Sequence, residues 1–287
     1  MKRINTYNLI NAFVFGITFL WFIYDFHDAK KVLGERSLLS WMVLLCSVVL
    51  VHVLKAFRLY FALYGTGIEL EVYIYTYCMV TPVSILLPFK VGEVFRMYCY
   101  GKQIDNVLKG VIIVFLDRFM DTSALVSMIL LVWIFDGGSF SFFIYILVIF
   151  LVLSGFLYFV FPGMFQFWKK YLLRAKASEH KLWGLKTIEK FWILYQEAEN
   201  VIKGRGIILY FLSFAAWLIE MGSVAIINRI EISSNVNTVI SGYLISAIGG
   251  KELLELRQFV FVSVIILALF FIFFKMSRLY VRKEGIL

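Results

Sequence analysis

Two short runs place acids and bases side by side within apolar sequence. The first is Leu87-Pro88-Phe89-Lys90-Val91-Gly92-Glu93-Val94-Phe95-Arg96, and the second is Asp117-Arg118-Phe119-Met120-Asp121. A charge at bilayer depth costs about 2.5–3.5 kcal/mol on insertion scales, so it persists only when paired, hydrated or engaged with a ligand. Pro88 ends any helix that precedes it, and Gly92 permits a turn or a close backbone approach. Glu93 and Arg96 share one face of a new helix at a spacing of three. A broken helix also exposes backbone donors at a positive dipole end, so with Lys90 and Arg96 it suits an anionic headgroup. The alternative is structural, a Glu93–Arg96 pair stapling a hairpin. In the second run Asp117 and Asp121 lie one turn apart and Arg118 reaches Asp121, leaving one acid for Arg96, Lys90, Arg58 or Lys55. Lys109 marks the entry of that span, which puts these residues about 12–18 Å deeper at 1.5 Å per residue. A buried ion network and a substrate or proton pathway both fit. Arg58 and Lys55 follow an apolar run and read as snorkelling cations. Glu220, alone in its span, is a partner for one of these bases.

Other chemistries find no foothold. The three cysteines, Cys46, Cys78 and Cys99, form no C-x-x-C, and the three histidines are far apart. There is no G-x-S-x-G, P-loop or H-E-x-x-H motif. No catalytic residue, metal or other cofactor is therefore expected. The net charge of +9 is an orientation and lipid-attraction signal, and nucleic acid is not expected as a partner.

The elements that must hold these residues are membrane helices. Of 287 residues, 62% are hydrophobic, with a mean hydropathy of +0.87. A soluble domain cannot cover its surface with that composition. The long apolar runs do not alternate with period two, which excludes a barrel. Six runs fit full spans: Asn5 to Tyr24, Leu38 to Leu54, Leu108 to Phe135, Phe140 to Phe161, Ile207 to Ile227 and Phe259 to Phe274. The first reads as an uncleaved span, since no small-residue cleavage site precedes Asp25. Two further stretches are broken and read as re-entrant hairpins. Val72 to Tyr100 is interrupted by Pro82, Pro88 and Gly92, and Val236 to Leu256 by Gly242, Gly249 and Gly250. The expected fold is thus an all-α polytopic membrane protein, six full spans plus two broken segments, forming one domain over residues 1–287.

Lys2 and Arg3, Lys55 and Arg58, the cations from Lys169 to Arg205, and Lys275, Arg278, Arg282 and Lys283 all fall on one side of this plan. By the positive-inside rule the N-terminus, C-terminus and residues 164–205 are cytoplasmic. Within 164–205, Leu185, Ile188, Trp192 and Tyr195 share one helical face opposite Lys186, Lys190 and Glu197. This reads as an interfacial amphipathic helix, or as a docking surface for a soluble enzyme.

Three motifs, in order, resemble the lysylphosphatidylglycerol synthase transmembrane (flippase-like domain) family. They are an arginine after the second span (Lys55-Ala56-Phe57-Arg58), a P-x-[RK]-x-G-E-x-x-R turn (Pro88 to Arg96) and an E/D-R-x-x-D helix (Asp117 to Asp121). The family's C-terminal P-x-x-x-G-G-x-G-x-x-E segment is matched incompletely. Ala247-Ile248-Gly249-Gly250-Lys251-Glu252 lacks the proline and the third glycine, and either Glu252 or Glu255 is the matching acid. The resemblance implies a translocase of the cell membrane, moving an anionic phospholipid or a lipid-linked glycan precursor between leaflets. Its substrate-binding residues would be Arg58, Lys90, Glu93, Arg96, Asp117, Arg118 and Asp121. The chain has no room for the family's soluble aminoacyl-transferase domain, so lysyl transfer is not expected. Two alternatives stay open: a non-catalytic subunit anchoring a cytoplasmic envelope-biosynthesis enzyme, and an integral-membrane transferase for a lipid-linked sugar.

The charge plan is testable. In a cysteine-free background, Ser178→Cys should resist a membrane-impermeant thiol reagent added to intact cells. Strong labelling from outside would invert the topology.

Overall fold

The computed structural model describes residues 6–34, 36–87, 91–136, 142–174, 178–231, 236–249 and 253–283. These are helical, with no strand among the described residues: α1 (Thr6–Asp25), α2 (Ala29–Leu33), α3 (Leu38–Leu63), α4 (Leu70–Leu86), α5 (Val91–Gln103), α6 (Val107–Asp136), α7 (Phe142–Arg174), α8 (Glu179–Glu231), α9 (Val236–Gly249) and α10 (Leu254–Lys283). Among the described residues, four helices are long and apolar enough to cross a bilayer: Leu38–Leu63, Ile144–Arg174, Glu179–Glu231 and Leu254–Ser277. Leu9–Asp25 and Leu70–Leu86 are apolar but shorter. α6 has the length, 30 residues, but Asp117, Arg118 and Asp121 interrupt its apolar character. Large apolar side chains such as Phe13, Phe159 and Phe273 are strongly exposed on the outer faces. Burial is thus reversed for charge: Arg58, Arg96 and Asp117 lie inside and phenylalanine lies outside.

The antiparallel pair α3 and α8 forms the spine, and both its ends are pinned by arginine. At one end Arg36 meets Glu231 at 3.4 Å, and Ser37 caps α3 by accepting from the Ser40 amide at 3.2 Å. At the other end Arg205 donates to the carbonyls of Phe61 at 3.0 Å and Tyr64 at 2.8 Å. It also lies 5.5 Å from the Tyr64 ring centroid. A cation on the last carbonyls of α3 satisfies acceptors that the helix itself cannot.

The first broken segment is a hairpin of α4 and α5. Pro82 does not interrupt it: α4 runs through Pro82 to Leu86. The helix survives because packed neighbours hold it around the missing donor. The break falls after Leu87, and Pro88, Phe89 and Lys90 lie outside the described residues. Beyond it α5 returns against α4 so closely that a Cβ on Gly92 would stand 2.4 Å from the Ser84 Cα. Only glycine permits that approach.

The second broken segment differs from the sequence plan. Gly242 sits inside α9, where an added Cβ would stand 3.4 Å from Leu253 Cδ1, rather than breaking it. Gly250, Lys251 and Glu252 lie outside the described residues. α9 has 14 residues, about 21 Å at 1.5 Å per residue, too short to cross a core of about 30 Å. α10 begins before Phe259 and is tied to the α1–α2 turn. Arg257 donates to the Asp25 carbonyl at 2.6 Å, and Gln258 to the Val32 carbonyl at 2.7 Å.

Residues 164–205 take a form that their amphipathic spacing alone does not predict. α7 continues to Arg174, and α8 is one uninterrupted helix of 53 residues, since no proline occurs between Glu179 and Glu231. The face carrying Trp192 and Tyr195 is stacked on α7. Trp192 lies 4.3 Å from the Phe165 ring, and Tyr195 lies 5.3 Å from both Tyr158 and Phe161. At these two residues, protein covers what was expected to rest on lipid.

Gly92→Ala should therefore lower thermal stability in detergent, by about 1–3 kcal/mol of overpacking. Gly155→Ala, with nothing within 4 Å of its added Cβ, should be neutral or slightly stabilising. Equal melting temperatures for the two variants would contradict the tight α4–α5 approach.

Candidate functional site

Six of the seven residues singled out in the sequence meet at one point. α3 brings Arg58, α5 brings Glu93 and Arg96, and α6 brings Asp117, Arg118 and Asp121. Lys90 lies outside the described residues. Arg58 forks onto Asp117, with Nε to Oδ1 at 2.7 Å and Nη2 to Oδ2 at 3.1 Å. Its Nη1 donates to Asp121 Oδ1 and, at 2.8 Å, to Ser213 Oγ on α8. This planar two-point grip is available to arginine and not to lysine. Arg58 is 1% exposed, so it does not snorkel to an interface. It is the buried centre of the cluster.

Arg96 donates through Nη2 to the second oxygen of Asp117 at 3.3 Å. The Glu93–Arg96 staple is loose, at 3.7 Å. Glu93 is held more closely from the neighbouring helices, accepting from Ser84 Oγ on α4 at 2.9 Å and lying 3.1 Å from Arg118 Nε on α6. Arg118, expected to satisfy Asp121, lies 3.8 Å from it, and Glu93 is its shorter contact. The surplus acid expected on α6 is Asp117, and it serves two arginines at once.

Among the described residues, three guanidiniums and three carboxylates leave this cluster formally neutral. Neutrality and dense hydrogen bonding make its burial tolerable where lone charges would not be. It is graded in depth: Arg58, Asp117 and Arg96 are sealed, while the Arg118 side chain is 37% exposed. It is also off-centre along the spine. Arg58 lies about 9 Å from the Tyr64 end of α3 and about 30 Å from the Leu38 end, at 1.5 Å per residue.

A second charged group sits one turn away on α3. Lys55 Nζ approaches Glu220 Oε2 at 3.4 Å and lies 5.4 Å from the Trp217 ring centroid. Tyr243 of α9 donates to Glu220 Oε1 at 2.7 Å. Glu220 is thus the partner of Lys55, as expected, and Tyr243 joins the short helix α9 to it.

Sequence reading passed over Ser84, Ser213 and Tyr243. A serine in an apolar helix usually bonds its own preceding turn, and Ser213 also does so, to Leu209 at 2.8 Å. No pattern in the chain separates these serines from the rest. Among the described residues no three His, Cys, Asp or Glu side chains are grouped to hold a metal ion. The cysteines Cys46, Cys78 and Cys99 are free thiols.

Apolar helices long enough to cross a bilayer, facing outward with phenylalanine and inward with paired charge, define a helical integral membrane protein. A family model described as "Lysylphosphatidylglycerol synthase TM region" matches residues 9–250. The chain belongs to that family, whose members are membrane proteins of the flippase-like type. No curated protein and no solved structure matches the chain.

Removing the sealed base should be the most damaging change to the cluster. Arg58→Ala leaves Asp117 and Asp121 without their closest partner, an effect of about 3–5 kcal/mol. Arg118→Ala should be milder, and Lys186→Ala, on the exposed surface, should stay within about 0.5 kcal/mol of wild type. Yield and melting temperature in detergent should follow that order.

Proposed function

We propose that this protein is a lipid translocase of the cell membrane, moving an anionic phospholipid or a lipid-linked glycan precursor between leaflets without covalent chemistry. The observation that carries this reading is the neutral arginine–carboxylate cluster, sealed at Arg58 and open at Arg118, beside a break between two half-length helices. A neutral network offers a route for a charged headgroup: an incoming phosphate takes an arginine, and the released carboxylate is held by its remaining partners. Asp117 and Glu93 each touch two basic groups, so neither is stranded during such an exchange. The acyl chains need an apolar surface nearby. A groove of about 390 Å³ between α6 and α8, lined by Ser127, Leu130, Leu131, Ile134, Tyr210, Phe211 and Phe214, supplies one. It begins about 9 Å along α6 from Asp121.

In this reading α1, α3, α6, α7, α8 and α10 are the full spans. The α4–α5 hairpin and α9 enter and return, and both termini and residues 164–205 face the cytoplasm. The cation distribution supports that orientation. A second reading, a membrane subunit that anchors a cytoplasmic envelope-biosynthesis enzyme, draws on the extension of α8. From Glu179 to Arg205 it reaches about 39 Å past the end of α3, and with α7 it carries Lys169, Lys170, Lys186, Lys190 and Lys203. An integral-membrane sugar transferase is the third and weakest reading.

Reconstitution into liposomes with a panel of fluorescent lipids and a leaflet-accessibility readout separates these. The wild type should move an anionic lipid. Arg96→Lys keeps the charge opposite Asp117 but loses the other guanidinium donors, so transport should fall by about tenfold or more with little change in melting temperature. Wild-type transport by a stable Arg96→Ala variant would remove the headgroup role.

A further inference from the structure

Arg96 commits only one of its nitrogens. Nη2 donates to Asp117, whereas Nε and Nη1 make no hydrogen bond to any group among the described residues, although Arg96 is 1% exposed. The Glu93 carboxylate lies 3.7 Å from Nη1, outside hydrogen-bonding distance. One turn further along α5, Tyr100 is fully buried and its hydroxyl has no hydrogen-bond partner among the described residues. On α4 the buried Thr81 Oγ1 is in the same condition.

These groups lie on two helices that face each other. Ser84 bonds Glu93, and the Tyr73 ring stacks 6.1 Å from that of Tyr100. Both contacts join the antiparallel helices α4 and α5, and the register they define puts Arg96 level with the turn between Tyr77 and Thr81. Neighbouring tyrosines show the contrast. Tyr73 donates to the Ala56 carbonyl, and Tyr77 donates to the His52 carbonyl at 3.3 Å. Tyr100, in the same stack, does neither. Buried donors are nearly always satisfied, and an unmade bond is expensive. Here one cation and two hydroxyls on the facing helices have no hydrogen-bond partner for these atoms among the described residues.

The geometry points to a phosphate subsite inside the α4–α5 hairpin, with Arg96 Nε and Nη1, Tyr100 Oη and Thr81 Oγ1 donating to non-bridging phosphate oxygens. This rests on the reading of the arginine–carboxylate cluster as a headgroup site and deepens it. The phosphate takes the Arg96 donors that Asp117 leaves unused. A guanidinium with two neutral hydroxyl donors suits a phosphodiester or phosphomonoester, whether on a lipid or free in solution.

Tyr100→Phe and Thr81→Val delete single hydroxyls, and melting in an uncharged detergent reads the result. Without anion, both variants should melt at or above the wild-type temperature, because no internal bond is lost. Dioleoylphosphatidylglycerol in mixed micelles should raise the wild-type melting temperature. Tyr100→Phe should show about tenfold or greater weakening of that response, with Thr81→Val changing in the same direction. Inorganic phosphate tested alone distinguishes the source. A Tyr100-dependent shift with phosphate and none with the lipid keeps the subsite and removes the anionic-phospholipid form of the translocase reading. A marked fall in melting temperature for anion-free Tyr100→Phe would show that the hydroxyl is already bonded and overturn the subsite. So would no anion response in the wild type, or an undiminished response in both variants. Undiminished lipid transport by Tyr100→Phe liposomes would overturn the subsite while leaving the translocase standing.

Discussion

The two-point grip of Arg58 on Asp117 is the contact around which the interior is arranged. It joins α3 to α6, and each partner then recruits a further helix: Arg58 reaches Ser213 on α8, and Asp117 reaches Arg96 on α5. Four helices thereby meet at a pair of residues with almost no access to solvent. In a bilayer there is little hydrophobic drive to bring helices together, because lipid tails already cover apolar side chains. A buried polar knot gives these helices a reason to meet at one register. Its geometry also restricts the residue types, since lysine offers no fork and asparagine no charge to match it.

Around that knot, the chain relies on close backbone contact. The α4–α5 hairpin closes because Gly92 lets one half-helix lie on the other, and a similar approach between Gly101 and Gly110 brings α5 onto α6. These crossings place Glu93 and Arg96 against α6 without long linkers. The hairpin is therefore defined on both sides, by glycine contact and by ion pairing. Either one alone would leave the paired charges free to separate.

Much of this arrangement is legible in the chain. Helical membrane architecture follows from composition, and the meeting of Arg58, Arg96 and Asp117 is implied by the need to neutralise charge in lipid. The helix ends are harder. Pro82 reads as a breaker, yet α4 passes through it because tertiary packing overrides a local preference. Gly242 misleads in the same way inside α9. Arg58 reads as an interfacial cation because sequence shows its distance from a span end, not which way the side chain turns. The amphipathic face of residues 185–195 is evident from spacing, but spacing cannot tell whether protein or lipid covers it. That depended on α8 continuing without a break and on Phe161 and Phe165 lying beside it.

The length of α8 has a mechanical consequence. A straight helix of 53 residues extends about 80 Å at 1.5 Å per residue. It carries Ser213 and Glu220, the contacts to Arg58 and Lys55, on the same rod as the basic segment near Lys186 and Lys190. Arg205, gripping the end of α3, divides that rod into an outer and an inner arm of about 39 Å each. A force that tilts the outer arm is delivered, with Arg205 as fulcrum, to the polar groups in the bundle. The basic surface and the buried ions are thus parts of one continuous helix, well separated along its length.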